Sequence, residues 1–149
     1  MKSRTRKISK VTSLASAEER RFGEEAGRSQ RQLNEQLERL GELNAFRHNY
    51  AMKNAGATQV TSVHLKDYHD FLHRLDVAVK AQQQIVRGCE QNLATHRQRW
   101  MVKRQKLESL ERVLARYQAE DNAYQDKLEQ KLLDDLPNVG LKGFEGDDA

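Results

Sequence analysis

The chain has 149 residues with 26 Lys and Arg against 22 Asp and Glu, a formal net charge of +4, and only 37% of its residues are hydrophobic while 32% are charged. A compact domain usually carries nearly half apolar residues and about one quarter charged ones, so this balance excludes a large globular core and fits an elongated chain. Eight Gly and one Pro exclude a loop-rich fold, whereas abundant Leu, Glu, Gln, Arg and Lys lose little rotamer freedom in a helix and predict an all-α protein.

The chain opens on Met1-Lys2-Ser3-Arg4-Thr5-Arg6-Lys7, basic like a signal peptide. The apolar core of a signal peptide is missing, because Val11, Leu14 and Ala15 are interleaved with polar residues. Residues 1–16 therefore read as a basic, frayed segment of a cytoplasmic protein, with the first helix starting near residue 10 or 17. Ser16 and Glu19 have capping-box spacing, and Gly23 and Gly27 weaken the turns that follow. Stepping alternately four and three residues gives a seam of Phe22, Ala26, Ser29, Leu33, Gln36, Leu40, Leu43, Arg47 and Tyr50, six of which are apolar or aromatic. Leu37 and Phe46 flank it on opposite sides.

A turn is predicted over about residues 54–62. Asn54 and Gly56 suit a left-handed cap, and Thr61 or Ser62 can accept from the first free amides of the next helix.

The second helix carries the strongest pattern. Its seam runs Tyr68, Leu72, Leu75, Val79, Gln82, Val86, Cys89, Leu93, His96, Trp100, Lys103, Leu107, Leu110, Leu114, Tyr117, Asp121, Tyr124, Leu128 and Lys131, and 14 of these 19 positions are apolar or aromatic. A 3.5-residue period held this long implies a left-handed coiled coil. Leu136-Pro137-Asn138 stops the helix. Residues 137–149 are acidic and glycine-rich, which predicts a disordered tail. The expected architecture is a long antiparallel two-helix coiled-coil hairpin over residues 17–136.

Folding the chain at the turn sets Leu43 opposite Leu72, Leu40 opposite Leu75, Ala26 opposite Cys89 and Phe22 opposite Leu93. In that register Leu107, Leu110, Leu114, Tyr117, Tyr124 and Leu128 overhang the first helix. An apolar seam without a partner on its own chain implies one elsewhere. Charge is segregated too: residues 1–31 and 95–117 each carry a net +5, and residues 118–149 a net −6. The open end of the hairpin is therefore positive and suited to orienting a partner along the long axis.

Nucleic acid is disfavoured as that partner, because Arg97, Arg99, Lys103, Arg104 and Lys106 spread around the helix while the seam continues through them. A basic-region DNA binder keeps its basic stretch outside the zipper. His69 and His73 lie one turn apart but lack a third ligand at metal-binding spacing, so no metal or cofactor is expected. Cys89 sits in the seam as a small packing residue. Without a phosphate loop, zinc motif or nucleophile constellation, the chain is expected to be no enzyme. Gln82, His96, Lys103 and Asp121 are either tolerated polarity in a half-wet seam or devices that set register or soften the rod.

A second apolar stripe, Phe71, Ala78 and Ile85, repeats every seven residues one place before a seam position, as Phe46 does on the first helix. Reversing one helix puts these flanks on one side, so Phe46 and Phe71 border a groove edged by Leu43, Tyr50, Leu75 and Gln82, unless a wider core absorbs them.

Leu43-Asn44-Ala45-Phe46-Arg47-His48-Asn49-Tyr50, a glycine-containing turn, Tyr68-His69-Asp70-Phe71-Leu72-His73-Arg74-Leu75-Asp76, Ala78 and Gln82-Gln83-Gln84, then Trp100 and the Leu107, Leu110, Leu114 run, together resemble the flagellar export protein family FliJ. The likeness covers about residues 20–136. It implies a small non-enzymatic component of the flagellar type III export apparatus, cytoplasmic and held at the inner membrane by its partners without inserting. Such proteins look like the stalk of rotary ATPases and couple the export ATPase ring to the membrane-embedded export gate, with export chaperones as further partners. On that footing Leu43, Phe46, Tyr50, Phe71, Leu75, Ala78 and Gln82 are candidates for gate binding. Arg104, Lys106, Leu107, Leu110, Arg112, Leu114 and Tyr117 are candidates for ATPase binding. The rival readings are the equivalent stalk of a virulence-type secretion system and a basic nucleic-acid-binding coiled coil.

Overall fold

The computed structural model describes residues 2–55 and 62–136. They form two long antiparallel α-helices packed against each other, α1 (Lys2–Ala55) and α2 (Ser62–Asp134), with no strand among the described residues. The all-α two-helix architecture expected from the heptads is therefore the one observed. Helices this long are stabilised mainly by their packed face, since propensity alone sustains only marginal helices in water. The seam supplies that face: every α2 seam position from Tyr68 to Asp121 is buried or half-buried, and so is every α1 seam position from Phe22 to Tyr50.

The chain divides into two compact units. In the first, Glu18–Arg104, the core is a cluster of Leu33, Val86 and Leu93 with Leu40 and Cys89 against it. No large side chain is fully buried among the described residues, as expected where two helices share one seam.

The second unit joins Met1–Ala17 to Gln105–Ala149. Its helical part corrects the expected start of α1, which begins at Lys2 and not near residue 10 or 17. The seam phase continues upstream through Ala15, Thr12, Ile8 and Thr5, all of them buried or half-buried. Thr5 Oγ1 donates to Asp121 Oδ2 at 2.5 Å, and Arg4 Nη2 donates to Glu120 Oε2 at 2.5 Å. The Arg4 guanidinium also lies 3.7 Å from the centre of the Tyr117 ring. Thr12 satisfies its buried hydroxyl on the Ile8 carbonyl at 2.7 Å. Small and polar residues carry this stretch of seam, so hydropathy alone does not reveal it. Ser16 is consequently interior to α1 and caps nothing.

The same contacts shorten the predicted overhang. Leu107, Leu110, Leu114 and Tyr117 are half-buried, and the exposed part of the seam begins at Tyr124.

The helices are also offset from the expected register. Leu33, due to lie opposite Gln82, instead clusters with Val86 and Leu93. Phe22, due opposite Leu93, has Lys103 Nζ 5.2 Å from its ring centre. The offset is about one heptad, and a repeating seam packs equally well after a slip of one full repeat.

Asn54 does not form a left-handed cap: it is helical, and its amide donates to the Tyr50 carbonyl at 2.9 Å. Gly56 and Thr61 of the predicted turn lie outside the described residues, as does the predicted disordered tail, 137–149. α2 ends at Asp134, with Asp135 and Leu136 still bonded back to Lys131 and Leu133. This stop just before Pro137 follows from proline's restriction of the preceding residue.

Candidate functional site

Within the Glu18–Arg104 unit, the end nearest the turn gathers the aromatic side chains. Tyr50, at a seam position of α1, stacks on Tyr68 with ring centres 5.6 Å apart and tilts against Phe71 at 4.6 Å. Phe46 meets Phe71 edge to face at 6.3 Å. Such pairs contribute about 0.5–1.5 kcal/mol each beyond their buried area. The cluster forms because Phe46 and Phe71 both stand one place before a seam residue and the helices run in opposite directions, which puts the two flanks on one side.

Burial within the patch is uneven. Leu75 and Gln82 are each only 8% exposed and belong to the seam, while Phe46 is 53% exposed. Leu43, Tyr50, Phe71 and Ala78 are half-buried. Beside Phe46 runs a groove of about 460 Å³ lined by Arg39, Glu42, Leu43, Phe46 and Gln82. Its charged edge, Arg39 and Glu42, was not singled out from the sequence because nothing in the heptad pattern marks it. A salt bridge from Arg47 to Asp76 ties the helices together nearby. Gln82 is held in place by its own amide, which donates to the Gln36 carbonyl at 3.0 Å and to Gln36 Oε1 at 2.7 Å. The arrangement is an aromatic-edged groove on two packed helices, with the shape to take a protein segment.

The charged candidates lie farther along α2. Arg104 is exposed, with its guanidinium 5.5 Å from the Trp100 ring. In the other unit, Lys106 and Arg112 are exposed, with Arg112 4.0 Å from Glu108. Leu107, Leu110, Leu114 and Tyr117 face the start of α1 as seam residues, so their apolar surface is largely spent within the chain. Among the described residues no group of three or more His, Cys, Asp or Glu side chains is placed to hold a metal ion. None of their helices is long and apolar enough to cross a membrane.

A family model described as Flagellar FliJ protein matches residues 4–138. No curated protein and no solved structure matches the chain.

Proposed function

The chain belongs to the FliJ family of flagellar proteins, and from that premise we propose that it is a non-enzymatic component that couples the export ATPase to the export gate. Family membership gives it a role connected with flagellar export. The observation that carries the finer reading is the exposed Phe46 beside Phe71 and Tyr50 at the rim of a groove. Exposed aromatics are among the residue types that dominate interface energy once buried against a partner. Leu43, Phe46, Tyr50, Phe71 and Ala78 form the gate-binding surface. Leu75 and Gln82 act beneath it as seam residues that set its shape.

The ATPase meets α2 through Arg104, Lys106 and Arg112, which steer the encounter with an acidic surface. Leu107, Leu110, Leu114 and Tyr117 serve that contact by keeping the helices together. The protein acts in the cytoplasm and reaches the inner membrane through its partners, and export chaperones compete for or share its surfaces. The decisive experiment replaces Phe46 and Phe71 by Ala and measures binding to the purified cytoplasmic part of the export gate. Affinity should fall at least about tenfold, the loss of one modest hot spot, while helicity stays at the wild-type level. Undiminished gate binding by a fully helical double variant removes the assignment.

A further inference from the structure

We propose that the exposed ridge at the end of α2 in one copy seats in a glycine-floored groove on α1 of a second copy, giving a head-to-tail contact between copies.

The groove holds about 560 Å³ and is lined by Arg20, Gly23, Gly27, Arg28, Arg31 and Trp100, together with Glu19 and Glu24. Its floor is the row of α1 in which Gly23 and Gly27 stand four residues apart. A Cβ at Gly27 would meet nothing within 4 Å, so the helix surface there is open, whereas a Cβ at Gly23 would stand 3.0 Å from the Trp100 indole. One wall is the indole of Trp100, whose Nε1 donates to Glu19 Oε1 at 2.9 Å. That bond is part of a wider pattern in the local charges. Glu18 lies 3.4 Å from Lys103 and Glu25 4.0 Å from His96, so three of the four carboxylates in this stretch turn toward α2. The outer face keeps Arg20, Arg28 and Arg31, which are exposed and make no ion pair among the described residues, against Glu24 alone. A neutral sequence segment thus presents a positive outer surface.

The complementary surface is on the same chain. Residues 118–136 contain six acidic and two basic side chains. Tyr124, Leu128 and Leu132 follow one another at four-residue spacing on α2 and are all exposed, Leu132 at 69%, and the exposed Leu136 stands just past the helix end. A ridge of side chains spaced by four fits the groove between rows spaced by four on a facing helix. The row holding Gly23 and Gly27 has lost its own side chains and so deepens such a groove. Shape and charge both match, since an acidic apolar ridge meets an arginine-rimmed apolar floor. Each copy carries one ridge and one groove, so the contact is heterologous and can propagate.

The test is sedimentation of the full chain over a range of concentrations and salt. The mass of the wild type should rise with concentration and fall at high salt, because exposed charges separated by more than a Debye length are screened. Gly27→Leu fills the groove of one variant, and Leu128→Ser with Leu132→Ser roughens the ridge of the other. Each alone should remain monomeric at wild-type helicity. Mixed, they should form a one-to-one complex, because the first retains its ridge and the second its groove. Arg28→Glu with Arg31→Glu provides a second groove variant that touches only exposed side chains. A wild type that stays monomeric at about a hundred micromolar, roughly the affinity of a weak apolar and charged contact, overturns the proposal. So does a groove or ridge variant that associates like the wild type, or a mixture no heavier than its parts; an acidic helix of another protein is then the remaining occupant.

Discussion

Removing the Gln82 side chain should expose how much one polar contact contributes to holding the two helices in register. Gln82 is 8% exposed, and its amide donates twice, to the Gln36 carbonyl at 3.0 Å and to Gln36 Oε1 at 2.7 Å. Each bond contributes about 0.5–1.5 kcal/mol net. Gln82→Ala loses both and leaves a gap in the seam, so its cost should be about 2–3 kcal/mol. Gln36→Ala loses only the side-chain acceptor, because the backbone carbonyl stays, and should cost about 1 kcal/mol. In the double variant the bond between the side chains is lost once, not twice. The two single effects should therefore exceed the double effect by about 0.5–1.5 kcal/mol. Urea unfolding followed by circular dichroism at 222 nm measures all three, provided the slopes agree. Additivity to within about 0.3 kcal/mol, the usual result for independent sites, would refute the claim that this bond joins the helices. Gln82→Leu should cost little or stabilise, since an apolar residue replaces a buried polar one in the seam, but it gives up the contact that marks one register.

Gly27→Ala should stabilise α1 by about 0.5–1 kcal/mol through helix propensity. Gly23→Ala places its Cβ 3.0 Å from Trp100 Nε1 and 3.2 Å from Cε2, so it should fall about 1 kcal/mol short of Gly27→Ala and alter the emission of the one tryptophan; equal stability with unchanged emission contradicts this packing. Reversing Arg104, Lys106 and Arg112 to Glu should slow association with the export ATPase about tenfold at low salt and flatten the salt dependence in stopped-flow mixing; an unaltered rate would place the steering charges elsewhere. Leu93→Ala should cost about 2–3 kcal/mol, Leu114→Ala about 1–2 and Leu128→Ala less than about 1. That order follows their burial, and equal losses at Leu114 and Leu128 in urea unfolding would mean that the start of α1 does not cover Leu114.

What was legible in the chain was everything that depends on a repeat along one helix. A heptad phase is a local property, so the seam of α2 could be traced from Tyr68 to Lys131 before any partner was known, although its stretch from Leu107 onward was expected to overhang α1, and the flanking stripe of Phe71 and Ala78 could be placed beside Phe46. The proline at 137 marks the end of α2 by the same local chemistry. The candidate gate surface was legible for that reason, although the charged rim of Arg39 and Glu42 was not.

Two features required the second helix to be present. A seam that repeats every seven residues is nearly blind to a slip of seven, so only particular contacts such as Arg47 with Asp76 and Phe22 with Lys103 distinguish the observed register from the one expected. The start of α1 was decided in the same way. Thr5, Thr12 and Ala15 are too small and too polar to announce a seam by hydropathy, and they become one because α2 lies opposite, with Asp121 accepting from Thr5 and Tyr117 lying beneath Arg4. Periodicity is written along one strand of sequence, whereas register depends on contacts such as Arg47 with Asp76, 29 positions apart, and the start of α1 on contacts between residues 116 positions apart.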